Sequence, residues 1–409
     1  MSTSLSAPPP TRESGHVGSR PNSTSQEKKE GSKRSYAKEV SDSLWVDALA
    51  YLLAIVILLN FWSAAFLELV MYVVFYPLCP SIWYVTRILG VRFGWLFPML
   101  CLKWSNVRIR MTGKGAAATS LGAIPPSPFS FSSSWQRYRD LLTPGKLPRA
   151  LIMINHLSWA DTFVLSPWLH AHNSVNGDTC WPMWKGFMQM PLGWIAYMSE
   201  CPVLGYGKEV DLKTIHRSVT RFFERRMTKF FLFPEGAVFR EEMRSKSHQY
   251  ATANKLPLLD HCLLPKHGAF YRAGKELHRQ GMTTLVDLTL AYPPASSLYD
   301  APFNVLDLVK RHAKPLYLPL HVRTFAMSEV PWDEEGKVQD WLNQRFMEKD
   351  KMLEEYYQNN GGALVEGAVE EGSRWQDLLM DLCVWIVLQA VMYGALLYLG
   401  RRMLGYGPV

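Results

Sequence analysis

The sequence predicts an α/β protein: a sheet domain with apolar helices on its N-terminal side and one more at its C-terminal end. Three observations carry this. Short apolar or alternating runs at 151–154, 230–233, 262–265, 284–292 and 317–325 recur between stretches of helical spacing, as in a sheet layered with helices. From 48 to 67 no charged residue occurs, about the 20 residues that cross a bilayer core. A second long apolar run, 378–399, carries only Asp381 and Gln389 as strongly polar residues.

Composition narrows the class. With 409 residues, 48 % of them hydrophobic, the chain holds one large domain plus accessory segments, not a string of modules. Its aromatic residues (Trp 15, Tyr 18, Phe 19) suit work at a membrane interface. The net charge of +8 would attract either nucleic acid or an anionic membrane. No basic helix, RNA-binding signature or zinc spacing is present, so a membrane bilayer is the expected partner and no nucleic acid is expected. Cys79, Cys101, Cys180, Cys201, Cys262 and Cys383 form no Cys-x-x-Cys pair and read as free thiols of a reducing compartment.

Taken in order, residues 1–43 are rich in Ser, Pro, Gly, Lys and Glu and cannot bury a core, so a disordered basic tail is expected. Its run from Lys28 to Arg34 carries more positive than negative charge, which by the positive-inside tendency sets this end in the cytosol. No apolar segment with a cleavage site opens the sequence, so no secretory signal is expected. Residues 44–104 read as membrane helices. Glu68 follows the first uncharged run, and a second, broken by Pro77 and Pro80, continues towards Thr86. Two arrangements fit: one span followed by an interfacial helix, or a re-entrant hairpin with Glu68 near its turn. The stretch 91–102 reads as a further interfacial piece. Residues 112–148, rich in Gly, Ala, Ser and Pro, are an expected exposed insertion ahead of a domain at 149–357.

The first strand, 151–154, is short and apolar, and Asn155 and His156 leave it. Ser158 then opens a Ser-x-x-Asp pattern, an N-cap with an acid at the third helical position. On an unbroken helix His156 and Asp161 would lie about 140° apart. With the helix starting only at Ser158 they can meet. A His held by a carboxylate is a general base in waiting, since the acid sets the tautomer and stabilises the imidazolium. No Ser or Cys nucleophile is needed if the substrate brings its own hydroxyl. For the pair taken alone, a surface His beside a helix cap is the plain alternative.

Beyond it, Lys185-Gly186-Phe187-Met188-Gln189-Met190-Pro191-Leu192-Gly193-Trp194 combines a cation, a Pro/Gly turn and aromatics. Residues 212–227 have helical spacing with a basic outer face. The second strand, 230–233, runs into Pro234-Glu235-Gly236, and the third, 262–265, into a turn at Lys266-His267-Gly268. The fourth, 284–292, alternates and is β-branched. The fifth, 317–325, contains Pro319, which marks a sheet edge. Residues 340–358 form an amphipathic helix. A C-terminal transmembrane helix is expected at 376–400, ahead of Arg401-Arg402, with Asp381 tolerated near its edge and Gln389 a candidate interhelical contact. With no His-x-x-x-His spacing and no cysteine cluster, no metal is expected, and a metal-dependent hydrolase built on His156, Asp161 and Glu235 is poorly supported.

The order of these motifs is recognisable. Asn155-His156-x4-Asp161, Lys185…Pro191-x-Gly193-Trp194, Phe233-Pro234-Glu235-Gly236 and Leu264-Pro265-Lys266-x-Gly268-x-Phe270 resemble the blocks of the glycerolipid acyltransferase family, which includes the 1-acylglycerol-3-phosphate and lysocardiolipin-type acyltransferases. The stretch 286–292, His321-Val322-Arg323 and Lys349-Asp350 also look like its eukaryotic branch. The resemblance covers roughly residues 45–357. It implies a mixed sheet flanked by helices. It also implies transfer of an acyl group from acyl-CoA, as co-substrate and without a cofactor, to the free hydroxyl of a lysophospholipid, by default lysophosphatidic acid. His156 would take the hydroxyl proton and Asp161 would orient the imidazole. Glu235 and Gly236 would sit with the acyl acceptor, Lys185 with its glycerol phosphate, Pro265 and Lys266 on the acyl-donor side, and Asn155 would bind substrate.

Two departures stand out. Tyr206 occupies the place of a phosphate-binding Arg, with Lys208 as a substitute that is a point charge, not a fork. The third block continues Ala237-Val238 instead of Thr-Arg, and the nearest cation is Arg240. Both keep open a larger acceptor, of the lysophosphatidylinositol or lysocardiolipin type, and a catalytically weak lipid-binding scaffold. The implied location is the endoplasmic reticulum membrane, or a mitochondrial one, with the catalytic domain in the cytosol.

Overall fold

The computed structural model describes residues 44–113, 149–171, 178–225, 227–293, 314–359, 361–371 and 375–403. The expected tail at 1–43 and nearly all of the expected insertion lie outside them. Helices α1 (Leu44–Phe75) and α2 (Pro80–Trp104) lead into β1 (Val107–Thr112). Then come β2 (Ala150–Ile154), α3 (Asp161–Ala171), β3 (Thr179–Cys180), β4 (Met183–Trp184), a 3-10 turn at Lys185–Gln189, α4 (Pro191–Met198) and β5 (Val203–Leu204). The elements α5 (Lys208–Thr220), β6 (Lys229–Leu232), α6 (Glu241–Asn254), α7 (His267–Arg279), β7 (Thr284–Leu290), β8 (Leu316–Ala326) and α8 (Glu335–Asn359) follow, then β9 (Val369–Glu371) and α9 (Trp375–Met403).

Seven strands form one mixed sheet in the order β3-β6-β2-β7-β8-β1-β9. β3, β6, β2 and β7 run parallel, β8 runs against β7, β1 lies parallel to β8, and β9 runs against β1. β2 and β6 are buried along their whole length, which is why they read as continuous apolar runs. Leu151 and Met153 point into the core on one face, and Ile152 and Ile154 into the core on the other. Because β2, β6 and β7 share a direction, the residues that leave their C-terminal ends converge: Asn155-His156, Phe233-Pro234-Glu235 and Ala291-Tyr292. That edge is where open α/β sheets hold their ligands.

Three expectations need correcting. The stretch 262–265 is not a strand. Its amides are taken by side chains: Cys262 N–H donates to Asp350 (2.9 Å), Leu263 N–H to Glu235 (2.8 Å) and Leu264 N–H to Ser247 (2.9 Å), so none is left for a ladder. Pro319 is not at a sheet edge, since β8 lies between β7 and β1. The proline is tolerated because the register with β7 ends at Leu290 opposite Leu320, so the missing amide had no strand partner there. The turn between α1 and α2 is at 76–79, not at Glu68. Nothing around Glu68 breaks a helix, whereas Pro77 and Pro80 do.

The hairpin of α1 and α2 is laid against the sheet domain. Asn60 donates to the carbonyls of Phe93 (3.2 Å) and Gly94 (2.9 Å), holding the helices together. Near the turn, Tyr76 donates to Glu200 (3.0 Å) and Arg221 to the Tyr84 hydroxyl (3.0 Å). The buried guanidinium of Arg87 donates to the carbonyls of Ser199 (3.2 Å) and Arg225 (2.8 Å). α9 packs on this pair through stacked Phe93 and Trp385 rings (centroids 5.0 Å apart) and a Ser63–Tyr393 hydrogen bond of 3.2 Å. Gln389 makes no hydrogen bond among the described residues. Ala48–Phe75 and Leu378–Ala395 are long and apolar enough to cross a membrane.

Candidate active site

The site is built by the way the chain leaves β2. A tight turn at Ser158 precedes α3: its hydroxyl accepts the Ala160 N–H (3.0 Å), and Asp161, the first residue of the helix, reaches back to the Ser158 N–H (3.1 Å). The same oxygen, Oδ2, accepts from the Leu157 N–H (3.0 Å) and meets His156 Nδ1 at 2.9 Å. One carboxylate oxygen thus holds both the turn and the imidazole. Asp161 is fully buried, and its other oxygen accepts the Tyr292 hydroxyl at 2.6 Å. Burial and then the Asp161 charge hold the Tyr292 phenol well above its usual value, so it stays a donor. With Nδ1–H committed to the carboxylate, Nε2 carries the lone pair. The His156 ring stacks on Phe233 with centroids 4.1 Å apart and keeps 17 % of its side-chain surface exposed.

Glu235 fastens this loop from behind. Its Oε1 accepts the His156 N–H (2.7 Å) and its Oε2 the Leu263 N–H (2.8 Å). Desolvation pushes its carboxyl up to about 8, against those two hydrogen bonds, which favour the charged form. Phe239 N–H donates to the His156 carbonyl (2.7 Å), so the strand-end turn grips His156 at both backbone groups. Gly236 takes a left-handed φ of +66°, and a Cβ there would lie 3.3 Å from Lys266 Nζ. The loop before Leu263 is fastened in turn by Asp350 of α8, which accepts the N–H groups of Asp260 (3.1 Å), His261 (2.6 Å) and Cys262 (2.9 Å).

Two residues expected to bind substrate also hold the frame of the site. Asn155 is fully buried and spends its amide on both backbone groups of Leu290, at 2.9 and 2.8 Å, tying the end of β2 to β7. Glu235 is buried and bonded as described. Gly236 and Lys266 meet one another at an exposed position beside them, while Pro265 is buried. Arg240 is exposed at the start of α6, immediately after the Phe239 contact.

Lys185 and Lys208 belong to a second, exposed patch. Lys185 Nζ lies 5.1 Å from the centre of the Tyr206 ring. The Gly205 and Tyr206 amides are held by Asp211 at 3.0 and 3.1 Å, and Lys208 begins α5 just beyond. Trp159, between His156 and Asp161 in the chain, joins the patches through ring contacts to Trp184 (6.1 Å) and Phe187 (5.3 Å). Sequence reasoning did not find Phe239, and it placed Tyr292 only inside a family-like stretch, without a role. Asp350 was visible as part of a family-like pair, without a role.

The chain is similar to known acyltransferases. The acyltransferase family model matches residues 141–280, and the acyltransferase C-terminus model matches 307–385. Mouse acyl-CoA:lysophosphatidylglycerol acyltransferase 1 is 26 % identical over 262 residues, which is 58 % of this chain and 68 % of that protein. Bovine 1-acyl-sn-glycerol-3-phosphate acyltransferase delta is 31 % identical over 210 residues, 51 % of this chain and 53 % of that protein. Lysophosphatidylinositol acyltransferase 10 of Caenorhabditis elegans is 25 % identical over 233 residues, 54 % of this chain and 56 % of that protein. The first family model thus covers the ends of β2 and β6 and the second covers β8, α8 and the start of α9, and the chain belongs to the acyltransferase family of enzymes.

Proposed function

We propose that the chain is a lysophospholipid acyltransferase using acyl-CoA, with His156 as the general base. The observation that carries this is the 2.9 Å contact between His156 Nδ1 and a buried Asp161, at the C-terminal edge of the parallel strands, with Nε2 left to face a substrate. Nε2 takes the proton of the acceptor hydroxyl as its oxygen attacks the thioester carbonyl. The carbon–sulfur bond breaks and CoA leaves as its thiol once it has regained a proton. Such general-base help is worth roughly 10²–10⁴-fold. No cofactor enters these steps.

The acceptor is a lysophospholipid. Lysophosphatidic acid is the default, and the lysophosphatidylinositol or lysocardiolipin type is the alternative that Tyr206 favours. The relatives carry names for three different acceptors, lysophosphatidylglycerol, lysophosphatidylinositol and 1-acylglycerol-3-phosphate. Lys185 and Lys208 are the cations for the head group. The endoplasmic reticulum membrane, with the sheet domain in the cytosol where acyl-CoA occurs, is the proposed location. Membranes expressing the protein should transfer a labelled acyl group from acyl-CoA to one of a panel of lysophospholipids, and His156→Ala should abolish it. Undiminished transfer by that variant ends the proposal, and no transfer by the unaltered protein on any acceptor leaves the scaffold reading.

A further inference from the structure

α3 starts at Asp161 and runs to Ala171, about 15 Å of helix. Both of its ends are held by the membrane helices. In its first turn, Phe163 packs against Trp95 of α2 (centroids 5.1 Å apart) and edge-on to Phe61 of α1 (6.4 Å). In its last turn, His170 Nε2 lies 3.0 Å from Asp381 of α9 and 3.1 Å from Arg92 of α2. Arg92 donates to Asp381 at 2.9 Å, and all three side chains are buried. Asp381, an acid near the start of an apolar helix, is therefore paired in the protein interior. Its partners come from the other membrane element and from the helix that carries the catalytic carboxylate.

A buried ion pair is poor evidence for stability, because desolvation consumes most of its attraction. Its best-supported use is to fix register and orientation. We propose that Arg92, His170 and Asp381 form a clamp by which the membrane helices position α3, and with it Asp161 against His156. The three are positioning residues: none touches the reacting atoms. α9 is then part of the catalytic apparatus and not only an anchor. The kinetic side of this rests on the acyl-transfer reading, and the geometric side does not.

The test uses full-length protein in membranes, with Asp381→Leu and the double variant Arg92→Leu/Asp381→Leu, which leaves no uncompensated buried charge and guards against simple misfolding. Both should stay membrane-bound after carbonate washing. The double variant should melt as the unaltered protein does, yet its kcat should fall about 10- to 100-fold, the scale of a misplacement near 1 Å, with little change in KM for acyl-CoA. An activity-independent readout is the rate at which diethyl pyrocarbonate modifies His156, mapped by mass spectrometry, with His267 as the internal reference. That rate should rise several-fold in both variants. A double variant with unaltered kcat and unaltered His156 reactivity overturns the clamp. If the unaltered protein transfers no acyl group while His156 reactivity still responds to the variants, the acyl-transfer reading fails and the clamp stands.

Discussion

The two patches joined by Trp159 are held in opposite ways. His156 is gripped through its amide, its carbonyl, its Nδ1 and its ring face, by groups from the loop after β6 and from α3. Lys185 is exposed and rests on one aromatic ring, itself exposed. A proton transfer fails when its base moves by a fraction of an ångström, whereas an ammonium meets a phosphate over a broad range of geometries. On the proposed acyl-transfer reading, rigid chemistry would sit beside adaptable recognition, as one fold needs to serve acceptors that differ in head group.

Breaking the gripped patch should have the largest effect. Asp161→Asn should lower kcat/KM by roughly 10²–10⁴-fold in a labelled acyl-transfer assay, because an amide at that position cannot charge the imidazole. A fall of less than tenfold would separate Asp161 from the chemistry. Tyr292→Phe should cost less. It removes one hydrogen bond to a buried carboxylate, about 1.5–3 kcal/mol, which is roughly 10- to 100-fold if it all appears in kcat. Its KM for either substrate should not move.

The exposed patch should answer differently. Lys185→Ala and Tyr206→Ala should each raise KM for the lysophospholipid several-fold and leave kcat within about twofold, the signature of binding shared by ground and transition states. A loss confined to kcat would erase the contrast between the patches. A pH dependence tests the gripped patch through stability instead of rate. Burial raises the Glu235 carboxyl from 4.5 to about 8, so the folded chain binds this proton more tightly than the unfolded chain does. Its stabilising share is full below about pH 4.5 and is lost as the pH climbs through about 8. Glu235→Gln cannot ionise and should flatten the decline of Tm over that window. An unchanged slope would mean that Glu235 is ionised throughout.

Strands buried on both faces were legible because they have to be apolar throughout: 151–154 and 230–233 are within a residue of β2 and β6. The His156–Asp161 contact was legible because the turn into a helix is local chemistry, written in residues 156–161. The stretch 262–265 misled because its composition suits a strand while its amides are claimed by Asp350, Glu235 and Ser247, residues 15 or more positions away. The same distance in sequence hid the role of Tyr292 and the framing role of Asn155. β1 and β9, partly exposed or very short, carry too little pattern to stand out. Pro319 misled because the rule it invokes concerns a missing partner, and a partner can end in the middle of a sheet.

Arg87 has a practical consequence. Its guanidinium, on a helix that reads as lipid-associated, supplies donors to carbonyls at Ser199 and Arg225 deep in the sheet domain. Trimming the polypeptide to start after Trp104 would take the Arg87 donor from the Arg225 carbonyl, leave Ser199 only its bond from Arg225, and bare the greasy seat of α2. A soluble fragment obtained that way should aggregate, and detergent or nanodiscs, not truncation, are the route to purified material.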